Sequence, residues 1–437
     1  MEEGPQDTLI SLILRSMTLK LPLKSRPYPL KGGIQYYAWG DKGAIPKLLG
    51  ISNEAQKPHA EFWMGAHPDL PSTLLDVDNS LAIPLDQAMG SAPEPLLGEQ
   101  VMQRFGATLP FLFKVLSAAQ PLSIQVHPTK EQAELGFARE QNSMPPMDVS
   151  ERLFRDKNHK PEIITALSPF YGLCGFRPWS EIRDRFLSIP QWAPLLDGIQ
   201  ETPQSTQELY RRVMELDSHQ RQKALEPLLR DLHNRHQKVA FERNDPSYWL
   251  LKASASLSTS DPFDRGLFSF YMLHLICLEP GQAMFVRAGV LHAYLEGTGM
   301  ELMANSNNVL RGGLTTKTMD VEALLAHLDV QAPQTQLIQP TPGSLKEPWS
   351  RFVTPAREFE LQCLMTTDQS LSLDQSTTGP EIWFAAKIGN TPSKLMVQEA
   401  SVLVMQQGEA FFIPAKTQLH VEVAPETTIY RALVPDT

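Results

Sequence analysis

LEPGQAMFVRA, from Leu278 to Ala288, and MQQGEAFFIPA, from Met405 to Ala415, share Gly, Ala, Phe and Ala at the same four places. Each copy reads as a turn glycine followed by a strand that ends near a histidine, His292 in the first and His420 in the second. A stretch that recurs in this form predicts two related β-barrel units within one chain. The second copy has no Gln-x-His or Glu close by, so its barrel is expected to carry no metal.

Working outward from the first copy, Gly289 to Lys317 reads GVLHAYLEGTGMELMANSNNVLRGGLTTK. It gathers His292, Glu301, Asn305, Ser306, Asn307, Asn308, Arg311 and Lys317 between apolar runs. Gly297, Gly299, Gly312 and Gly313 rule out a long helix and place these groups on short strands and turns. Such polar density is costly to bury unless each group has a partner or a ligand. The segment is read as one wall of an active site.

The other wall lies upstream. PFLFKVLSAAQPLSIQVHP, Pro110 to Pro128, reads as two buried strands around a turn, with Lys114 the one charge in the first. In the second, Ser123, Gln125 and His127 alternate with Ile124 and Val126, which sends the three polar groups to one face. DKNHKPEIITAL, Asp156 to Leu167, puts Asn158, His159 and Lys160 before Pro161, and Glu162 opens an apolar strand. A carboxylate at the mouth of a buried strand needs a partner, and a metal is one candidate. From Trp179 to Leu257 the spacing of Leu209, Val213 and Leu216, and of Leu225, Leu228, Leu229 and Leu232, predicts helices lodged between β-rich blocks.

Composition narrows the field. A chain of 437 residues with 42% apolar and 20% charged content is an ordinary globular protein too long for one core. A formal net charge of −10 argues against a general nucleic-acid binder, without excluding a local cationic pocket for a phosphate. Three dispersed cysteines, Cys174, Cys277 and Cys363, form no CxxC and fit a reducing cytoplasm. No apolar run approaches the ~20 residues of a membrane span. The N-terminal LISLIL, Leu9 to Leu14, follows Glu2, Glu3 and Asp7 and makes a poor signal peptide.

Gln125, His127, Glu162 and His292 together make an N2O2 set suited to zinc or another borderline divalent ion. Each also has a plainer reading. A histidine after a strand is often only hydrogen bonded, glutamine is a rare zinc ligand, and Glu162 could merely pair with Lys160. Arg311 beside Gly312 and Gly313 either pairs structurally or leaves its planar fork open to an oxyanion or phosphate. Lys114 either snorkels or contacts a phosphate. The aromatic clusters around Trp39 and Trp63 read as core rather than as a sugar platform.

The two repeat copies resemble the strand signature of cupin barrels, a jelly-roll type. The chain as a whole, from about Gly33 onward, resembles the type I mannose-6-phosphate isomerase family. The resemblance is carried by QYYAWG, AEFWMGAHP, PFLFKVLSAAQPLSIQVHP, NHKPE and HAYL…E…NVLRGGLTTK, in that order. It implies a mainly β fold, two cupin-like barrels with an inserted helical domain. The expected division is a catalytic barrel over 25–178 and 259–330, a helical insertion over 179–258 and a C-terminal barrel over 331–437.

The same resemblance implies one zinc ion per chain, held by Gln125, His127, Glu162 and His292. It puts Arg311 on an active-site arginine, and Lys114, Ser123, Lys160, Glu301 and Lys317 on pocket positions. Two positions depart from the family pattern. Asn307 stands where an aspartate is common, and Thr316 precedes Lys317 where the family writes proline.

The activity implied is interconversion of mannose 6-phosphate and fructose 6-phosphate through an enediolate, feeding mannose metabolism or GDP-mannose synthesis. Glu301 is the expected base, with Lys160 and His159 as rivals, and Arg311 the charge beside the oxyanion. The phosphate is expected against Lys114 and Ser123, assisted by Lys317 or Lys160, with Asn307 near the substrate. Arg311 holding the phosphate is the alternative. The loop from Gln141 to Asp156 is expected to close over the ligand. A monomer acting on a small sugar phosphate is expected, with no nucleic acid or membrane partner. The rival readings are a non-catalytic sugar-phosphate sensor and a metal-dependent cupin oxygenase.

Overall fold

The computed structural model describes residues 23–76, 82–143, 148, 152–257, 261–317, 319–344, 347–397 and 402–436. The LISLIL stretch and residues 144–147 and 149–151 of the expected lid lie outside the described residues. The fold is mostly β with helices. It forms two compact units: Ile34–Trp63 with Phe111–Gln362, and the described residues of Met1–Gly33, Met64–Pro110 and Cys363–Thr437. Among the described residues no helix is long and apolar enough to cross a membrane.

The larger unit is organised by one long strand, His292–Ala304. Along Gly297–Ala304 it pairs antiparallel with Phe111–Ala118 on one side, and along Gly299–Met303 with Glu162–Ala166 on the other. At its start, His292 instead faces Gln125 of Ile124–Val126 and Cys174 of Phe170–Phe176. Ala283–Val286, the first repeat copy, runs beside Glu162–Ala166, so that Val286 lies opposite Glu162. Leu310–Gly313 pairs with Ile124–Val126.

Period-two alternation then sorts the side chains. Leu116, Ile164, Ala166, Met284 and Tyr294 fill one apolar core. From the polar Ser123–His127 run, Ile124 and Val126 turn to the opposite side. There they join a second core with Leu209, Val213, Leu225, Leu228 and Leu232. Those leucines come from the helices Ser205–Glu215 and Ser218–Lys238, the latter started by a capping box between Asp217 and Gln220. Helices at Trp179–Leu187 and Pro246–Ser256 complete the helical stretch.

The smaller unit holds the second repeat copy, Ala410–Ile413. That strand lies between Glu381–Lys387 and Tyr28–Lys31, with Ile413 opposite Glu381 and Tyr28 opposite Phe412. The pairing of Tyr28–Lys31 explains why the stretch before Gly33 groups with the C-terminal residues rather than with the segment that follows it. A separate four-stranded sheet runs in the order Leu371–Ser376, Gln418–Val423, Ser393–Val397, Val402–Met405. Its strands alternate, with Leu403, Met405, Leu419, Val421 and Val423 buried and the intervening residues facing out. That is the pattern of an antiparallel sheet with one wet face.

Candidate active site and metal centre

The strand pattern brings His127, Glu162 and His292 together at the end of the first apolar core. One ligand atom from each lies within 4.8 Å of the other two, and all three residues are buried. Nε2 of His127 is 3.5 Å from one Glu162 oxygen and Nε2 of His292 is 3.3 Å from the other.

Hydrogen bonds decide what those nitrogens present. His127 Nδ1 lies 2.8 Å from the Asn308 carbonyl, and His292 Nδ1 lies 3.0 Å from the Val290 carbonyl. A carbonyl only accepts, so each Nδ1 carries a proton, and each Nε2 is the ring atom turned toward the carboxylate. Burial first of all, together with the Lys160 charge, lowers the His127 ring to about 4 against the pull of Glu162, so it is neutral near pH 7. Among the described residues its Nε2 has no hydrogen-bond partner, although it is buried. Two lone pairs and a carboxylate facing one another repel, and a cation among them removes the repulsion. The donor set is the one zinc takes in sites that keep an open position, and carbonyl-anchored imidazoles are its usual supports.

Gln125 sits directly opposite both His292 and Arg311 in the ladder, so these three side chains share a face. Its Nε2 donates to Ser123 Oγ at 3.0 Å, which leaves the amide oxygen available. Lys160 Nζ lies 3.0 Å from Glu162 Oε1. Burial alone would raise the Glu162 carboxyl. The Lys160 charge and then His127 outweigh burial and hold it well below the usual range.

Arg311 is half-buried, and among the described residues its guanidinium has no hydrogen-bond or ion-pair partner. A register shift between Arg311 and Gly313 bends the strand there. Gly313, at φ +134°, lies so close to Gly266 that a Cβ would come within 2.4 Å of its Cα. Burial, and after it the charge of Arg155, pulls the Arg311 guanidinium below its ordinary range. Lys317 is lowered by Arg311 first, then by burial and by Arg155. Arg155, Arg311 and Lys317 thus lie near enough for their like charges to oppose one another.

Lys114 is differently placed. Its ammonium is 3.1 Å from Glu301 and 3.5 Å from Glu61, all three are buried, and it lies 5.1 Å from the centre of the Trp63 ring. Burial would lower the ammonium, but Glu301 and Glu61 outweigh it and hold the pKa above the usual value. Glu301 is raised by burial, with Lys114 opposing. Trp63 is core, and its indole N–H donates to Glu61. His159 donates from Nε2 to Glu358 at 2.7 Å.

The polar residues read as part of the site wall are tied to a partner the sequence did not announce, Asp156. Asp156 Oδ2 accepts the Asn307 N–H at 2.7 Å, and its Oδ1 accepts from the Ser306 hydroxyl and the Asn158 N–H. The fully buried Asn308 side chain accepts from the Arg155 N–H and donates to the Asp156 and Asn158 carbonyls. This double knot fixes the Asn308 carbonyl against His127. Glu61 and Arg155 were likewise missed, because each is paired through space with residues far away in sequence. The buried Tyr294 hydroxyl, with no hydrogen-bond partner among the described residues, gave no signal either.

A family model described as phosphomannose isomerase type I, catalytic domain, matches residues 28–179. A mannose-6-phosphate isomerase of Shigella flexneri is 37% identical over 390 residues, 88% of this chain and 94% of that one. The chain belongs to the type I phosphomannose isomerase family. The Homo sapiens mannose-6-phosphate isomerase is 32% identical over 90% of each chain. Among solved phosphomannose isomerases, a histidine-to-alanine variant from Salmonella typhimurium has a TM-score of 0.81 at 33% identity. It covers 94% of this chain and 100% of that one. A mannose 6-phosphate isomerase solved with zinc and yttrium has a TM-score of 0.80 at 33% identity, with the same coverage.

Proposed function

We propose that the chain interconverts mannose 6-phosphate and fructose 6-phosphate, with zinc held by Gln125, His127, Glu162 and His292. The observation that carries this reading is the row Arg311, Gln125, His292 across three adjacent strands, which sets a guanidinium unpaired among the described residues beside a carbonyl-anchored ligand set. Zinc at this position supplies a Lewis acid for the substrate carbonyl. Arg311 adds a fixed positive charge beside the oxygens that become anionic, worth a few kcal/mol at the transition state by the usual order of magnitude, about 3.

Glu301 takes the proton from C2 of the aldose and returns it to C1, and its upward-shifted carboxyl suits a group that must both gain and lose a proton. Lys114 and Glu61 hold it in place. Two carboxylates already compensate the Lys114 charge, so the phosphate passes to Lys317 and Arg155, with Asn307 beside them. Ser123 orients the Gln125 amide. Lys160 steadies Glu162, and His159 stays on its partner Glu358.

At the level of architecture, we propose two cupin-like barrels. The catalytic one is built from strands of 111–178 and 259–330 with the helical stretch 179–258 inserted. The other uses the C-terminal residues together with strands at Tyr28–Lys31 and Thr73–Leu75.

The deciding experiment follows isomerisation of mannose 6-phosphate in the purified chain, after chelation and again after zinc is restored. Loss and return of turnover is expected. A zinc-loaded protein with no turnover overturns the proposal.

A further inference from the structure

The smaller unit carries a side-chain series that the isomerase reading does not use. It is centred on His420, the histidine that follows the second repeat copy. His420 Nδ1 is 2.7 Å from Asp374 Oδ1, and its Nε2 is 2.9 Å from Ser372 Oγ. A carboxylate only accepts, so the proton sits on Nδ1, Nε2 presents its lone pair, and the Ser372 hydroxyl donates to it. This is the order of groups that activates a serine: hydroxyl, imidazole base, and a carboxylate that fixes the tautomer.

The sheet explains the juxtaposition. Asp374 lies directly opposite His420, Met396 opposite its other side, and Val402 opposite Met396. Ser372 is one step along the same face, two residues from Asp374, within diagonal reach of the imidazole. A groove of about 540 Å³ adjoins the series, lined by Ser376, Met396, Gln418 and Leu419 among others. Among the described residues Leu371–Ser376 is the end strand of its sheet, which turns the backbone N–H groups of its outer side toward a developing oxyanion.

We propose that Ser372, His420 and Asp374 form a second, metal-independent nucleophilic site that takes small activated esters. Ser372 Oγ attacks the ester carbonyl, a C–O bond forms to the serine, and the bond to the leaving alkoxide breaks. The hydroxyl proton passes to His420 Nε2 and on to the leaving group. Water then attacks the acyl-serine by the same route, releasing the acid and restoring the hydroxyl. The acyl group lies along Met396 and Val402.

Asp374 is 92% exposed, so water screens its charge and its role is to orient the ring. Activation is therefore set at the low end of general-base catalysis, on the order of 10²-fold over an ordinary surface serine.

The test treats the zinc-loaded full chain with a fluorophosphonate and with p-nitrophenyl acetate, and maps adducts by mass spectrometry. Expected are a single adduct on Ser372, its loss in Ser372→Ala and in His420→Gln, and a fall of less than about tenfold in Asp374→Asn. Isomerase turnover, retained in all three variants, certifies their folding. Labelling elsewhere only, or a Ser372 adduct that forms equally fast in His420→Gln, overturns the proposal.

Discussion

Glu162 and Glu381 hold the same register place in their two units. Val286 and Ile413 are the same position of the repeat, and the first lies opposite Glu162, the second opposite Glu381. Two residues on from each carboxylate, the outer neighbour differs: Glu301 faces Ile164, whereas Arg431 faces Trp383. The smaller unit thus carries an arginine where the larger has an acid. Its Glu381 accepts the Trp383 indole N–H at 2.6 Å and has the Arg431 guanidinium at 3.5 Å. A protein cation answers this buried carboxylate.

Arg431→Met should leave Glu381 buried without a counter-charge and cost about 3–5 kcal/mol of stability. Adding Glu381→Gln to that variant should recover most of the loss. Urea unfolding of the two single variants and the double variant measures both. A single variant within about 1 kcal/mol of wild type would sink the compensating role.

Burial outweighs Arg431 and Trp383 at Glu381, so its carboxyl lies above the ordinary range. The native state then holds the proton more tightly than the unfolded chain. Between the unfolded and folded pKa values, stability falls as pH rises. Glu381→Gln should flatten that part of the stability profile, read from unfolding midpoints at stepped pH. An unchanged slope would place the titration elsewhere.

Gln125→Leu should lower both bound zinc and turnover, and unchanged zinc content would remove Gln125 from the ligand set. Asn308→Ala keeps the backbone carbonyl on His127 but frees its position. Zinc affinity should fall roughly 10–100-fold, the usual size for an outer support of a ligand, measured by competition with a chelating dye.

Lys317→Ala removes a cation whose charge is opposed by Arg311 and Arg155. Loss of a charge-assisted contact of about 1.5–3 kcal/mol should raise KM for mannose 6-phosphate by about 10–100-fold. Inhibition by inorganic phosphate should weaken in step, with kcat little changed. Equal KM in the variant would return the phosphate to Lys114 and Ser123.

Much of the site is legible in the order of residues. The alternation Ser123, Gln125, His127 against Ile124, Val126 fixes a polar face by local geometry alone, and the repeat marks equivalent strands. Helical spacing at Leu209, Val213, Leu225 and Leu232 identifies a buried stripe. What stayed hidden depends on long-range pairing. Nothing near Lys114 announces Glu61 and Glu301, and Asp156 reads as a loop residue until the chain returns at Ser306–Asn308, some 150 positions later. The phosphate expectation at Lys114 followed from residue type, which says nothing of the two carboxylates the fold sets beside it. Arg155 lies at the end of a polar loop, with no pattern to single it out.

The knot between Asp156 and Asn308 also has a kinetic meaning. The loop before Glu162 and the turn before Arg311 are fastened by bonds that need both segments in place. Neither can open alone without stranding buried polar groups. Amide protons of Arg155, Asn307 and Asn308 should therefore exchange with deuterium at one common rate, as a single cooperative patch. The metal-side loop and the anion-side turn would come apart together or stay shut together, so a ligand that orders either one slows solvent exchange at both.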